Sequence, residues 1–523
     1  MSARAEPSYP RQQVRTRGFS LGHPRSFSIS PDGERVVFLR SESGDEPSNS
    51  LWVYDVAGAV EREVARPGDI LAHGEHGEEL LAPEERARRE RSRELAGGIV
   101  AYSCDEAVSK AAFSLGGRLW WVDLVAGPGT TPVELPSPQG IVDPRPAPAG
   151  DMVAFLWGAR LCAVPTAGNA GYVVLAEDDD PDVTWGAAEF VAAEEMARSR
   201  GYWWAPDGNA LIVARVDNRP VTSWWTGDPS TPAAPPEAHR FPVAGSDNAV
   251  VSLWLVPAPG QGGEPRELRW EVERYPYLAA VHWGGYGPPL LLVEQRDHKA
   301  CAVLAVDLAA GETSVVAEMH DPAWVDWPAG APAWLEGGQL LWAEVADGTL
   351  RLKVGPDLVT PPGLHVGGVT VSGRSVLFTG STEPEVVKAW AWSAVDGLQA
   401  LTEPRGVSRA MREGKVTVVV SRSMDWDGPR AEVRVEGSPP RVLASRAETP
   451  VVTPGVRFLR VGERNLSVGV VLPEGHPGGK LPVLMAPYGG PGHQRVQAAR
   501  SGWLDAQWFA NQGFAVVVAD GRG

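Results

Sequence analysis

Apolar and polar positions alternate in short runs along most of this chain. In SFSISPDGERVVFLRSE (26–42) a strand meets a turn and a second strand follows; LWVYDVAG (51–58) adds a third. The same texture restarts at IVAYSCDE (99), VDPRPAPAGDMVAFLW (142), VTWGAAEF (183), LAAVHWGGYGPPLLLVEQ (278), PAWVDWPAGAPAWLEGGQLLWAEV (322), GGVTVSGRSVLFTG (367) and VSRAMREGKVTVVVS (407). Most of these eight starts are roughly 40 to 45 residues apart, the repeat length of four-stranded propeller blades. SPDG at 30–33 and APDG at 205–208 supply a fixed φ at proline and a positive φ at glycine, as a tight turn needs. A four-stranded blade cannot bury both faces alone, and stacking blades covers them. The pattern therefore predicts an eight-bladed β-propeller over residues 1–445.

Two gaps exceed a blade. LAPEERARRERSRELAGG (81–98) lacks β-branched residues and ends in Gly-Gly, which predicts an inserted helix. RPVTSWWTGDPSTPAAPPEAHRF (219–241) is proline-rich and reads as an ordered loop around Trp224 and Trp225. Beyond about residue 445 the texture changes. VRFLRVGERNLSVGVVLPEG is a hairpin, LPVLMAPYGGPG a buried strand entering a glycine turn, WLDAQWFANQGF a helix and FAVVVADGRG a second buried strand. Apolar strand, helix, apolar strand is the start of a parallel sheet with a crossover. Residues 446–523 thus read as the opening of a separate domain built on a parallel sheet.

Composition adds limits. A net charge of −17 repels nucleic acid and anionic membranes. Cys104, Cys162 and Cys301 are sparse, odd in number and unsuited to a disulfide framework, which fits a reducing compartment. The N-terminal residues lack the apolar core of a signal peptide, and no run is long enough to span a bilayer. These features read as a cytoplasmic protein without a membrane partner. His73 and His76 in HGEHGEE (73–79) lie in a glycine-rich loop without further ligands nearby, and EDDD (177–180) reads as a solvated loop, so neither a metal nor another cofactor is expected.

The sequence FVAAEEMARSRGYWWAPDG (190–208), the strand RFPVAGSDNAVVSLWLV (240–256), the segment RRERSRELAGGIVAYSCDE (88–106) and PYGGPG with VVVADGRG at the end together resemble the prolyl oligopeptidase family of serine peptidases, and within it the dipeptidyl peptidase IV branch. The resemblance covers nearly the whole chain, and it implies an eight-bladed propeller followed by residues 446–523 as the incomplete opening of an α/β-hydrolase domain. It implies release of N-terminal dipeptides of Xaa-Pro or Xaa-Ala type through a Ser-Asp-His triad. It implies that Glu194 and Glu195 hold a substrate's N-terminal amine. Adjacent carboxylates repel, an ammonium relieves them, and a fixed amine position would count two residues; a solvated helix turn is the plain alternative. An arginine of the inserted helix would bind a substrate carbonyl. Arg89, Arg91 and Arg93 compete, with Arg93 taken first, against the alternative of a solvated face paired with Glu90 and Glu94. Tyr488 would donate to the oxyanion of the tetrahedral intermediate, with a merely packed tyrosine as the alternative. Gly489, Gly490 and Gly492 would permit a tight backbone path. His493 is not expected as catalytic base, because in α/β-hydrolases the order is Ser, Asp, His.

One serine has glycine at both ±2 positions, Ser20 in GFSLG (18–22), but it precedes the blades and does not join a strand to a helix; no serine of residues 446–523 fits G-x-S-x-G, so the nucleophile elbow of a hydrolase domain is not expected within these 523 residues. The expectation is an N-terminal portion of a longer enzyme, inactive by itself, with peptides bearing a free N-terminus as partners and homodimers formed through the rest of the hydrolase domain. A non-catalytic propeller scaffold for peptide N-termini, or an oligopeptidase or acylaminoacyl peptidase, are the competing readings.

Overall fold

The structure is a computed structural model and describes residues 8–71, 83–91, 93–127, 129–168, 170–488, 490 and 493–521. It is mostly β. Among the described residues, sheets of five, four, four, five, four, four and eight strands follow one another along the chain, with a two-stranded ribbon inserted in the fourth, and a last four-stranded sheet closes it. The chain divides into two compact units: residues 1–63, 95–98 and 345–523, and residues 64–94 and 99–344.

In the second unit the blades stack through strands buried on both faces. The run Ala210–Asp217 shows why. Leu211 and Val213 point to the sheet of residues 141–176, meeting Ala154 and Leu161. Ile212, Ala214 and Val216 point the other way, to Leu291, Val293 and Ala302 of the sheet spanning 277–320. Period-two geometry places neighbours on opposite faces, so a strand wedged between two blades is apolar throughout. Val153, Phe155 and Cys162 repeat the arrangement against Ala112 and Trp121. In the first unit, the sheet that begins at Arg25–Ile29 packs against the last blade. Val36, Phe38 and Trp52 meet Val416, Val418 and Val433.

The turn chemistry is as the sequence predicts. Gly33 (φ +72°) donates its N–H to Ser30 O at 2.8 Å, and Asp32 accepts from the N–H of Glu34 at 2.9 Å. Gly208 repeats the bond to Ala205 O at 2.9 Å.

Three elements differ in detail from the sequence reading. The inserted helix is Pro83–Arg91, and it ends well before Gly97–Gly98. Those glycines instead pair in parallel with Ser48–Asn49. A Cβ on Gly98 would lie 2.4 Å from Ser48 Oγ, so the glycine serves a close approach rather than a helix stop. The proline-rich stretch after Arg219 contains a ribbon, Ser223–Thr226 paired with Glu237–Arg240, which leaves Trp224 and Trp225 exposed. The N-terminal helix Tyr9–Arg15 docks on the terminal segment of the chain rather than on a blade. Tyr9 donates to Asp505 Oδ1 at 2.6 Å, and Gln12 donates to Glu448 at 3.0 Å.

The terminal sheet runs Val456–Val461, Leu466–Val471, Ala515–Ala519, Val483–Met485. Its last pair is parallel, with the helix Leu504–Asn511 between the two strands in sequence. Trp503 is its buried anchor. The indole fits only because residue 469 is glycine, where a Cβ would stand 2.0 Å from the ring. The boundary read at 445/446 falls inside the first unit, between Arg441–Val442 and Val456–Val461.

Candidate functional site

The glutamate pair sits where a blade's first strand is cut in two. Val183–Trp185 and Tyr202–Trp204 both pair with Ala210–Asp217: Trp185 lies opposite Arg215, and Tyr202 opposite Val213. Between these halves the chain leaves the sheet and carries the short helix Phe190–Glu195. Two glycines close the neck of the excursion. Gly186 (φ +83°) donates to Ala214 O at 2.8 Å, and Gly201 O accepts from Ala214 N at 2.7 Å. A Cβ on Gly201 would meet the carbonyl oxygen of Ala187 at 2.3 Å. The sequence reading overlooked this split strand. Its signal was present: glycines at 186 and 201 bracketing the acidic pair, with the β-rich YWW resuming directly after.

Glu194 and Glu195 end the helix and are exposed. Glu194 accepts an ion pair from Arg91 Nε at 3.0 Å, with about a third of each side chain accessible, 37% and 34%. Arg91 also lies over the Phe190 ring at 5.5 Å. A half-exposed pair of this kind holds its partners by about 1 kcal/mol or less, so a ligand can displace either member. Arg89 turns away to Glu85 Oε1 at 2.8 Å, where Arg88 also binds. Arg93 lies past the helix in a left-handed turn (φ +49°), exposed, its N–H on Glu90 O. Of the three candidate arginines, Arg91 is the one brought to the glutamate pair.

Behind the pair lies an unusual group. His298 stacks on Trp324 at 4.1 Å and on Tyr277 at 5.5 Å, and its Nδ1 lies 2.8 Å from Glu294 Oε1. Glu294 is fully buried and its Oε2 has no hydrogen-bond partner among the described residues. Burial, helped by Asp326, pushes the Glu294 carboxyl up to about 8. Burial lowers His298 despite the opposing charges of Asp297 and Glu195.

In the other unit, Tyr488 follows the strand Val483–Met485 and is 47% exposed. His493 packs edge-on against its ring at 5.0 Å. A Cβ on Gly490 would lie 2.7 Å from the Tyr488 hydroxyl, so this glycine makes room for the phenol. Gly489 and Gly492 lie outside the described residues, as do His73 and His76. The acidic loop is neutralised by arginines: Asp178 by Arg215 at 2.7 Å and Asp180 by Arg219 at 3.5 Å. Among the described residues, no three His, Cys, Asp or Glu side chains gather as metal ligands, and no helix is long and apolar enough to cross a membrane.

Comparison with known proteins follows the same line. The model of the dipeptidyl peptidase IV (DPP IV) N-terminal region matches residues 103–363. A probable dipeptidyl-aminopeptidase B of Penicillium rubens is 22% identical over 588 aligned positions, covering 96% of this chain and 61% of its own length. Dipeptidyl peptidase 8 of Mus musculus is 24% identical across 54% of this chain and 36% of its own. The crystal structure of Porphyromonas gingivalis dipeptidyl peptidase 4 matches with a TM-score of 0.75 at 18% identity, over 98% of this chain and 73% of that one. The fold is thus that of a bladed β protein carrying the opening of an α/β-hydrolase domain. The chain belongs to the dipeptidyl peptidase IV-like branch of the prolyl oligopeptidase family, and it spans about three fifths of the length of the Penicillium relative.

Proposed function

We propose that this chain is the substrate-recognising part of a serine-type dipeptidyl peptidase that releases Xaa-Pro or Xaa-Ala dipeptides from free N-termini. The observation that carries the reading is the cut strand: a blade gives up its first strand to project Glu194 and Glu195 on an exposed helix end, with one arginine laid on them. Two carboxylates at one point accept the three N–H donors of an ammonium through charge-assisted bonds. Arg91 is then freed to turn its planar fork to the first peptide carbonyl. Once the amine is fixed, the depth of entry is fixed, and the enzyme counts residues from that end. Tyr488 donates its hydroxyl to the developing oxyanion. The Ser-Asp-His triad lies outside these residues: their one G-x-S-x-G match, at Ser20, follows the helix Tyr9–Arg15 and does not join a strand of the hydrolase-like sheet to a helix, so the 523-residue chain binds peptides without cleaving them. Three free cysteines suit a reducing compartment such as the cytoplasm.

The test is calorimetric titration of the chain with Ala-Pro-Ala and with its N-acetylated form, alongside the E194Q and E195Q variants. The free peptide should bind and the acetylated one should not, and each variant should weaken binding about 10-fold or more. The native gene product should release p-nitroaniline from Gly-Pro p-nitroanilide, whereas the 523-residue chain should not. Equal binding of free and acetylated peptide would overturn the amine site and favour the oligopeptidase reading. Turnover by the chain alone would overturn the division of labour.

A further inference from the structure

The segment that carries the glutamate pair returns to its sheet through Arg198, Ser199 and Arg200. Arg198 is a brace. Its guanidinium donates to Leu278 O at 2.8 Å, to Arg200 O at 3.0 Å and to the carboxylate of Glu189, the residue preceding the glutamate helix. Arg200 is thereby fixed in place without its own side chain being used. Two further bonds seat it beside the bulged strand Ile141–Pro146. Tyr202 donates its hydroxyl to Asp143 O, and Trp204 Nε1 donates to Arg145 O at 3.1 Å.

The charges there do not balance. Asp143 is the nearby carboxylate, and Arg145 takes both of its oxygens, at 3.0 and 2.8 Å. Arg88, already bonded to Glu85, also faces Asp143. Arg200 has the face of Trp203 at 5.3 Å and, among the described residues, no carboxylate within ion-pair distance. Burial, and then the charge of Arg145, pull its guanidinium down to about 10. His282 is lowered by burial and further by Arg200. A largely buried guanidinium beside a second one, with a histidine held neutral next to it, is costly without a counter-charge. The chain as a whole carries −17, so this local excess of positive charge is not a general feature of its surface.

We propose that Arg200, flanked by Arg145 and His282, is a carboxylate-binding subsite for the peptide whose amine is held by Glu194 and Glu195. The proposal rests on the amine-site reading above. Glu195 and Arg200 are five residues apart, so their Cα atoms can be no more than about 18 Å from each other. A peptide of three or four residues reaches from one charge to the other. The carboxylate comes either from an acidic side chain near the N-terminus or from the free C-terminus of a short peptide. Both present the same two oxygens to the guanidinium fork.

The experiment compares binding by calorimetry for matched peptides: Glu-Pro-Ala-Ala-amide against Gln-Pro-Ala-Ala-amide, Ala-Pro-Glu-Ala-amide against its Gln form, and Ala-Pro-Ala-Ala as free acid against amide. The pair that reaches Arg200 should show about a 10-fold or greater preference for the carboxylate. R200Q should collapse that ratio to one, and R200K should keep part of it. The first two pairs report a side-chain source and the third a C-terminal one. R200Q should melt at the same temperature as the parent or higher, because it removes an uncompensated cation. Ratios of one throughout, a ratio that survives R200Q, or a melting temperature lowered by more than about 5 °C would overturn the inference, the last by making Arg200 a structural brace. Competition by inorganic phosphate without any peptide preference would also overturn it, leaving a free-anion site. N-acetylation reports separately: if acetylated peptides bind equally well, the amine site fails, whereas acetylation sensitivity with ratios of one removes the Arg200 subsite alone.

Discussion

Replacing Glu294 by glutamine should change how stability depends on pH, and the structure gives the size of the change. The carboxyl is buried, one oxygen lies 2.8 Å from His298 Nδ1 and the other has no partner among the described residues. Its folded pKa is raised from 4.5 to about 8, so the stability it contributes as a neutral acid is present at low pH and is lost as pH rises through 8. His298 is shifted the other way, below 6.5, so its contribution grows with pH up to about that value. Between 4.5 and 6.5 the two oppose each other, the raised carboxyl losing stability with rising pH and the lowered histidine gaining it. Above 6.5 the unfolded histidine is neutral and the folded pair still holds one proton more. That holds whichever of the two residues carries it. The excess proton persists to about 8, a window of about 1.5 pH units, and at about 1.36 kcal/mol per unit the wild type loses about 2 kcal/mol across it. The other groups facing the pair are Asp326, Asp297 with Lys299, Glu195 and Cys301. The Cys301 thiol, pushed up to about 12 by burial, stays neutral throughout. E294Q keeps the shape and a donor for Nδ1 and removes the ionisation. The assay is denaturant unfolding of wild type and E294Q at pH 6.5, 7.25 and 8. E294Q should gain about 2 kcal/mol on the wild type between the first and last pH. A stability difference that is flat over this range, or one that runs the other way, would refute the assignment of a shared proton to this pair.

Three further outcomes are expected. G201A places a methyl 2.3 Å from the Ala187 carbonyl oxygen, where two backbone segments must part; it should cost about 1–3 kcal/mol in a thermal melt and weaken free-amine binding as well, by tilting the glutamate helix. R91Q should lower peptide affinity several-fold in calorimetry while R93Q leaves it unchanged, because Arg91 reaches Glu194 at 3.0 Å whereas Arg93 sits in the turn beyond the helix. In the native gene product, Y488F should reduce kcat by about 100-fold with KM little altered, as loss of a single oxyanion donor does; a fall confined to KM would make Tyr488 a binding residue only.

The sequence reveals most where the chain's own neighbours decide the structure. The blades were legible because strands such as Ala210–Asp217 are wedged between two sheets, and double burial makes every position apolar. The Pro-Asp-Gly turns were legible because φ is dictated locally by proline and glycine. What stayed hidden depends on partners far along the chain. Nothing within residues 88–93 says that Arg91, rather than its neighbours, meets a glutamate about a hundred positions later. Gly97–Gly98 look like a helix stop until Ser48–Asn49 arrive beside them, and the helix Tyr9–Arg15 shows no mark of the Asp505 that it binds. The candidate site combines both kinds of information. Its chemistry, two adjacent carboxylates before a Tyr-Trp-Trp strand, is local and was read directly. Its presentation depends on a strand cut open at Gly186 and Gly201, each bonded to the same residue, Ala214, of the next strand. An ammonium site needs both. Carboxylates on an intact first strand would alternate between faces, one of them buried against the neighbouring blade, and only the excursion brings both to the same exposed helix end.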